Sequence, residues 1–360
     1  MNELIIPPTQ LSLLVTNKCT AACQNCCFQC NPKNKDRLSL DKMKQYVDQA
    51  VDAYSTIQLL VITGGECFTL GTDLNKIIKY SSDKGLFIRV VTNGYWAKSP
   101  EKARIILEKL VEAGLNEINF STGDEHQMWV PYDNIIHGII SALELNLTTA
   151  VNVESSKLSE FSINQLKSDC RLEKYIHFLH KKLFLLGGVW MPFNKSTEEE
   201  LNTFGEERKK ELPILLQQNK SRCSSLFNSI SIDPFHQVIA CCGLTVGYIP
   251  YLRMGLAKKY PLKFLYEYQF QDFLKIWLFT EGPEKILAFC RIKLNLPPIE
   301  TTKWHICQIC IEIFRNEQYI LILQQNYGEV FQSVLLKYSL LREKYLKIKQ
   351  LKIKDHEKKR

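Results

Sequence analysis

The sequence has no apolar run long enough to cross a membrane and no basic-then-apolar leader at its start. Its longest apolar stretches, such as 182–190 and 319–323, fall far short of the roughly 20 residues that a membrane helix needs. Residues 1–10 carry an acid and two prolines, which a secretory leader does not. Internal repeats and low-complexity segments are also missing, which excludes solenoids and compositionally biased arrays. These absences predict a cytoplasmic globular protein without a membrane span.

Excess charge is confined to one end of the chain. Of the net charge of +8, residues 337–360 carry +7, from ten Lys or Arg and three Asp or Glu. The other 336 residues are therefore close to neutral, and no nucleic-acid partner is predicted. The basic end is either a solvated helix or a dock for an acidic peptide or another anionic partner.

Strands and helices alternate through the first half of the chain. Short apolar runs predict strands, and segments with helical spacing lie between them, the first with Ser39 as its N-cap. The predicted strands cover 11–16, 59–63, 87–92, 116–121, 148–153 and 182–186, and the helices 39–54, 74–84, 100–113 and 132–145. This alternation predicts an α/β fold, a partial (β/α)6 TIM-like barrel with its chemistry at the C-terminal ends of the strands.

The pattern changes after the predicted barrel. Residues 194–220 are highly charged and predict a linker, whereas 228–239 alternate around Asp233-Pro234 and predict a β-hairpin. Further helices are predicted near 270–278, 283–289 and 328–351. We therefore divide the chain into a barrel at 1–195, a cysteine-rich extension at 196–320 and a basic C-terminal helix at 321–360.

Thirteen cysteines are the most unusual feature of the composition. In a large chain without an export signal, clustered thiols more often bind metal or act chemically than form disulfides. Cys19, Cys23 and Cys26 have the spacing CxxxCxxC. Three thiolates from one short loop can hold three irons of a [4Fe–4S] cube and leave the fourth iron open to an outside ligand. The alternative is a structural zinc site or a fold with spare thiols.

The segments that follow the next three predicted strands resemble the radical SAM superfamily. They are Gly64-Gly65-Glu66, Thr92-Asn93-Gly94 and Ser121-Thr122-Gly123-Asp124. The resemblance covers roughly residues 10–190 and implies that the cube reductively cleaves S-adenosylmethionine to a 5′-deoxyadenosyl radical. It implies that Gly64, Gly65 and Glu66 hold the methionyl amino group, and that Asn93, Ser121 and Asp124 line the ribose and carboxylate.

One position departs from that superfamily. The residue before the third cluster cysteine is often aromatic there and is Asn25 here, so adenine stacking is expected to pass to Phe28. His126 is close enough in sequence to these segments to contact the cofactor. Packing, surface or turn positions, rather than metal ligation, are predicted for Cys27, Cys30, His126 and His236.

A second group of thiols follows the barrel and comprises Cys223, Cys241, Cys242, Cys307 and Cys310. The arrangement around a hairpin resembles the SPASM or twitch extensions of radical SAM peptide maturases, which implies an auxiliary [4Fe–4S] cluster. A cube needs four ligands, and Cys223, one of the adjacent pair, Cys307 and Cys310 supply them; structural zinc on the same four is the alternative. Adjacent residues at a strand end point opposite ways, so one thiol of the pair is left over.

The resemblance narrows to the radical SAM epimerases of epipeptides, over roughly residues 10–315. It is carried by 26–32 (CCFQCNP), 94–96, 124–126, the Cys241-Cys242 doublet, 277–286 and 305–310. These matches imply a ribosomally synthesised precursor peptide as substrate, an external electron donor, and conversion of chosen L-residues to D-residues. They also imply that Cys241 ligates the auxiliary cluster and that Cys242 returns hydrogen to a Cα radical.

Two other functions stay open. One is a radical SAM maturase that forms a carbon–carbon or thioether crosslink in a peptide, and it needs no donor thiol. The other is a zinc-stapled binding protein with a basic tail. Because only about ten residues precede the first predicted strand, precursor capture is expected at the barrel mouth, the extension or the basic tail.

Overall fold

The computed structural model describes residues 4–155, 159–178, 182–189, 222–299 and 305–357. The strands are β1 (Gln10–Leu14), β2 (Leu59–Thr63), β3 (Phe87–Thr92), β4 (Glu117–Thr122), β5 (Thr148–Ser155), β6 (Leu183–Val189), β7 (Ser229–Ile232), β8 (Gln237–Ile239) and β9 (Arg253–Leu256). The α-helices are α1 (Leu40–Ala53), α2 (Thr72–Asp83), α3 (Pro100–Glu112), α4 (Asp124–Gln127), α5 (Tyr132–Glu144), α6 (Ile163–Lys167), α7 (Glu173–Phe178), α8 (Leu262–Tyr268), α9 (Phe273–Lys293), α10 (Ile306–Arg315), α11 (Glu317–Asn326) and α12 (Gly328–Glu357). The linker predicted at 194–220 lies outside the described residues.

These strands form one mostly parallel sheet in the order β6-β5-β4-β3-β2-β1-β7-β8-β9. β1 to β6 run parallel to one another, and β7 adds a further parallel neighbour on the free side of β1. β8 and β9 follow as antiparallel strands. The prediction of an α/β fold with six consecutive βα strands is confirmed, and the hairpin predicted at 228–239 proves to extend that sheet. The domain boundaries at 195 and 320 remain predictions.

Helices cover the apolar face of the sheet because their apolar residues recur with helical spacing. In α1, Met43, Tyr46, Val47 and Ala50 are buried, as the period of 3.6 residues requires. The predicted N-cap is confirmed, since the Ser39 side chain accepts a hydrogen bond from a backbone N–H in the first turn of α1. This cap fixes the point at which the cysteine loop ends and α1 begins.

The C-terminal helix is part of the packed body of the protein as far as its side chains are described. On α12, Tyr338 is fully buried and its hydroxyl donates to the carbonyl of Leu4. The Nε of Arg342 donates to the carbonyl of Ile5 at 3.1 Å. The two helices predicted near 270–278 and 283–289 both lie within α9, where non-helical backbone at Gly282 separates two helical segments. None of the described helices is long and apolar enough to cross a membrane.

Candidate active site

The thiols of Cys19, Cys23 and Cys26 lie in the loop between β1 and α1, and each is half-buried. The backbone N–H of Ala21 donates to the Cys19 sulfur at 3.4 Å, and that of Cys30 donates to the Cys26 sulfur at 3.4 Å. Hydrogen bonds of this kind stabilise thiolate sulfur, which is the form that binds iron, and they tune the potential of a cluster. The donor set therefore fits a [4Fe–4S] cube.

The three thiols differ in acidity. A hydrogen bond from the Cys30 thiol lowers the pKa of Cys26 to about 6. Burial raises the pKa of Cys19 to about 11, and burial with the charges of the other two thiols raises the pKa of Cys23. Burial therefore opposes ionisation of Cys19 and Cys23, and metal binding must release the protons of these two thiols.

The two glycines after β2 support the cysteine loop directly. The N–H of Gly65 donates to the Thr16 carbonyl at 2.6 Å, and the N–H of Glu66 donates to the Lys18 carbonyl at 2.9 Å. A Cβ on Gly64 would lie 2.5 Å from the Thr16 oxygen, and one on Gly65 would lie 2.2 Å from the Lys18 oxygen. Only glycine allows this approach, so the pair positions the backbone that leads into the cluster cysteines.

Glu66 is fully buried, and its carboxylate accepts hydrogen bonds from neighbouring residues of the protein. Its carboxylate accepts hydrogen bonds from the N–H of Asn93 at 2.7 Å, the N–H of Phe68 at 3.1 Å and the hydroxyl of Thr92 at 2.9 Å. The sequence predicts that this carboxylate meets the ammonium group of S-adenosylmethionine. The structure shows a further role that the sequence did not indicate, because these bonds tie the end of β2 to the end of β3.

The stability of the iron-free protein is expected to fall as pH rises through the titration of Glu66. Burial raises the pKa of Glu66 from 4.5 to about 7, although the hydrogen bonds from Asn93, Phe68 and Thr92 lower it. The folded state therefore holds the proton more tightly than the unfolded state, so the contribution of this group is full below pH 4.5 and is lost by about pH 7.

The Glu66→Gln variant removes this titration. The free energy of unfolding of wild type minus that of Glu66→Gln, measured by urea denaturation, is expected to decrease as pH rises from 4.5 to 7. The exposed Glu112→Gln is the matched control, and its curve should run parallel to that of wild type. A wild-type-minus-Glu66→Gln difference that stays constant over this range contradicts the prediction.

Asn93 also contacts the cysteine loop. Its side-chain amide donates to the Cys19 sulfur at 3.6 Å and to the Thr20 hydroxyl at 3.0 Å. Asn93 is buried, and its side-chain oxygen accepts a hydrogen bond from the N–H of Tyr95 at 3.1 Å, so the amide is held while its nitrogen binds the loop. Because Asn93 follows β3, the sequence predicts it at this site, where the resemblance implies contact with the ribose and carboxylate of the cofactor. The bonds to the cysteine loop were not predicted.

Ser121 lies on β4 in register with Asn152 of β5, which in turn is in register with Leu186 of β6. Residues paired in this way share one face of a sheet. Asn152 and Leu186 are exposed, and Ser121 is half-buried. Asn152 and Leu186 thus share a face with Ser121, which the sequence does not show because cross-strand register cannot be read from a single strand.

Asp124 and His126 both lie on the short helix α4, and each binds a different segment of the chain. Both oxygens of Asp124 accept backbone hydrogen bonds at 2.8 Å, from Glu160 and from Phe161. The Nδ1 of His126 lies 2.9 Å from a carboxylate oxygen of Glu154, at the end of β5. Burial lowers and the Glu154 carboxylate raises the pKa of His126, and the rise prevails. His126 is thus half-buried and paired with a carboxylate.

A cavity of about 370 Å³ gathers the second cysteine group. All five predicted thiols line it, namely Cys223, Cys241, Cys242, Cys307 and Cys310. Cys307 and Cys310 lie three residues apart on α10 and therefore share one face of that helix. A Cβ on Gly243 would lie 3.3 Å from the Cys307 sulfur and 3.4 Å from the Cys241 sulfur, so these two sulfurs converge.

The two neighbours Cys241 and Cys242 have different surroundings. Cys241 is 7% exposed, whereas Cys242 is exposed to the cavity. Burial raises the pKa of both thiols. The charges of Cys223, Cys310 and Cys307 raise that of Cys241 further, whereas a hydrogen bond from the Ser229 hydroxyl lowers that of Cys242. Cys242 is therefore the more accessible thiol of the pair within the cavity.

Serine side chains share one face of the sheet on β1 and β7. Ser12 of β1 is in register with Ser231 of β7, and Ser229 lies two residues earlier on the same face. The hydroxyls of Ser229 and Ser231 are 3.0 Å apart, and all three serines are buried. Leucine and isoleucine occupy the alternate positions 11, 13, 230 and 232, so the serines give this part of the sheet one polar face.

The two cysteine groups adjoin through Cys27. A Cβ on Gly247 would lie 3.3 Å from the Cys27 carbonyl oxygen. Burial raises the pKa of Cys27, and charges that contribute to the rise include those of Cys26 and Cys307, one from each group. His236, predicted as a surface or turn residue, lies in the turn between β7 and β8 but is buried, with its Nδ1 2.6 Å from the Tyr46 hydroxyl.

Among the described residues, no three His, Cys, Asp or Glu side chains converge closely enough to hold one metal ion. A [4Fe–4S] cube does not require such a group, because each of its thiolates binds a different iron.

Residues 13–137 match the Radical SAM superfamily. YydG of Bacillus subtilis (strain 168), whose name assigns it to peptide biosynthesis, is 22% identical to this chain over 162 residues. That alignment covers 43% of this chain and 50% of YydG, so the chain spans half the length of this relative.

Solved structures of anSMEcpe share the fold. The complex with bound AdoMet has a TM-score of 0.54 and 13% identity, covering 94% of this chain and 98% of that chain. The complex with AdoMet and the Cp18Cys peptide has a TM-score of 0.54 and 12% identity, covering 93% and 100%. At such identity the likeness concerns the fold alone, and it agrees with the predicted partial barrel.

Proposed function

We propose that this chain, which carries a radical SAM domain in residues 13–137, modifies a ribosomally synthesised precursor peptide by converting L-residues to D-residues. When bound, the [4Fe–4S] cluster and S-adenosylmethionine supply a radical that abstracts hydrogen from carbon. The observation that carries the proposal is the contrast between Cys241, which is buried among the other thiols, and Cys242, which is exposed and lines the same cavity. A spare thiol in that position supports hydrogen return to a substrate carbon.

The residues at the first site divide into ligands and supports. Cys19, Cys23 and Cys26 hold the cluster in this proposal. The carboxylate of Glu66 accepts three hydrogen bonds and keeps capacity for an ammonium group. Gly64 and Gly65 hold the loop against β2, and their backbone is the further contact for the methionyl amino group.

The remaining members of the predicted cofactor set have distinct tasks. Ser121, in its row with Asn152 and Leu186, offers a hydroxyl to the bound cofactor on one face of the sheet. Asn93 holds the cysteine loop through the Cys19 sulfur and Thr20. Asp124 orders the segment around 160–161 and acts on the cofactor through that segment.

The second site combines a cluster with a hydrogen donor. Cys223, Cys241, Cys307 and Cys310 hold an auxiliary [4Fe–4S] cluster in this proposal, and all four line one cavity. The thiol of Cys242 gives its hydrogen atom to the Cα radical on the face opposite the abstraction. The resulting thiyl must gain one electron and one proton before the next turnover, so an external electron donor is required.

Two comparisons support a peptide as the substrate. YydG is named for peptide biosynthesis, and anSMEcpe has been solved with a bound peptide. The near-neutral balance outside residues 337–360 gives no support for a nucleic-acid partner.

An anaerobic turnover in D₂O tests the proposal. The reaction contains the reconstituted enzyme, S-adenosylmethionine, a reductant and the candidate precursor peptide, and the product is analysed by mass spectrometry. Epimerisation adds one mass unit at a single residue, because the returned hydrogen comes from an exchangeable thiol. A loss of two mass units instead identifies a crosslinking maturase. Absence of iron and sulfide after reconstitution, with zinc bound, favours the zinc-stapled binding protein.

A further inference from the structure

Glu125 is the side chain of α4 that binds the cysteine loop. Its carboxylate accepts two hydrogen bonds from Asn25, one from the backbone N–H at 2.9 Å and one from the side-chain amide at 2.5 Å. The carbonyl oxygen of Glu125 accepts a third bond, from the Cys23 thiol at 3.7 Å. Glu125 therefore contacts the loop at Cys23 and at Asn25, the residue just before Cys26.

This contact explains the polar residue at position 25. Asn25 uses two donors on one carboxylate, a pairing that fixes both the backbone and the side chain of the residue before Cys26. Both side chains are half-buried, where hydrogen bonds to a charged acceptor are worth more than neutral ones. An aromatic residue at position 25 would keep only the backbone donor.

The charge of Glu125 has a separate consequence. Negative charge near an iron–sulfur cluster stabilises its more oxidised state, so it lowers the reduction potential and makes the reduced cluster a stronger electron donor. The same charge contributes to the raised pKa of Cys23, after burial and the charges of the two other thiols. The carboxylate is thus close enough to act electrostatically on the loop.

We infer that Glu125 is a positioning residue that orders the cluster loop through Asn25 and lowers the potential of the cluster through its charge. This inference rests on the loop binding a [4Fe–4S] cluster, as the proposed function states, and not on the identity of the peptide. The ordering effect and the charge effect are separable with glutamine at position 125, which carries no charge. Its amide oxygen can accept from the backbone N–H of Asn25, and its NH₂ group can donate to the side-chain oxygen of Asn25 after that amide rotates by half a turn.

Three variants separate the two effects. In Glu125→Ala both bonds are lost, and hydrogen exchange of the peptide spanning 19–31 in the iron-free protein is expected to accelerate about tenfold. In Glu125→Gln that exchange should stay close to the wild-type rate, whereas the cluster potential, measured by a redox titration followed by electron paramagnetic resonance, should become more positive. In the double variant Asn25→Asp with Glu125→Gln, the charge returns on the other partner and the potential should move back toward the wild-type value.

The exposed Glu112→Gln is the control for removal of a carboxylate, and it should change neither measurement. Wild-type exchange rates in Glu125→Ala overturn the inference, and so does an unchanged potential in Glu125→Gln. If the wild-type protein takes up no cluster, the proposed function fails. The exchange measurement on the iron-free protein then still decides whether Glu125 orders the loop.

Discussion

Replacing Cys242 by alanine is expected to abolish deuterium incorporation into the precursor peptide while 5′-deoxyadenosine still forms. The first cluster site lies on the loop after β1 and does not include Cys242, so cofactor cleavage and hydrogen abstraction should continue. The substrate radical then lacks the exposed thiol that the proposal makes its hydrogen donor. Product with one added mass unit should fall to background in mass spectra of D₂O turnovers.

Two matched cysteine variants sharpen this test. Cys241→Ala should lose iron and sulfide from the second site, because its thiol lies among those of Cys223, Cys307 and Cys310. Cys170→Ala removes an exposed thiol outside both groups and should behave as wild type. Deuterium incorporation that persists in Cys242→Ala contradicts the assignment of the donor. Loss of cluster iron from Cys242→Ala, but not from Cys241→Ala, reverses the roles of the pair.

Gly65→Ala is expected to displace the cluster loop and prevent cluster assembly. The added methyl group would stand 2.2 Å from the carbonyl oxygen of Lys18, and that atom belongs to the backbone and cannot turn aside like the end of a side chain. Relief requires the loop to move away from β2 and to lose the bonds that Thr16 and Lys18 accept. We expect a cost of about 3 kcal/mol in the free energy of unfolding of the iron-free protein.

The measurements are urea denaturation of the iron-free protein and iron content after reconstitution. Gly328→Ala is the control, since a Cβ there meets nothing within 4 Å. This control should retain both stability and iron. A Gly65→Ala protein with wild-type stability and a full complement of iron contradicts the role assigned to the glycine pair.

Local features of the fold were predictable from the sequence. The bounds of β2 and β3 are those that the apolar runs predict, and Ser39 caps α1 as its side chain and position indicate. The four-residue helix α4 was missed because a single turn has no periodicity to detect. The pairing of β7 with β1 was also missed, because register between distant segments leaves no trace in either one.

The candidate site was predictable in its locations but not in all its contacts. The structure brings Gly64, Gly65, Glu66 and Asn93, which the sequence assigns to the cofactor, against the loop of Cys19. The sequence could not show that Asn93 bonds a cysteine sulfur or that Asp124 holds backbone amides at 160–161. Such details depend on side-chain direction, which tertiary packing decides. Glu125 carried a signal only as part of the segment 124–126.

The attachment of β7 to β1 imposes an order on biosynthesis. The hydroxyl of Thr9 bonds the side chain of Asn228, 219 residues further along the chain. At a translation rate of about 5–20 residues per second, the second neighbour of β1 leaves the ribosome roughly 10–40 s after β1 itself. During that interval one edge of β1 is open to mispairing with other chains. The contacts that hold the cysteine loop come from Gly65, Asn93 and Glu125, which are synthesised well before residues 229–232. The loop can therefore settle early, whereas the open edge of β1 must wait for β7.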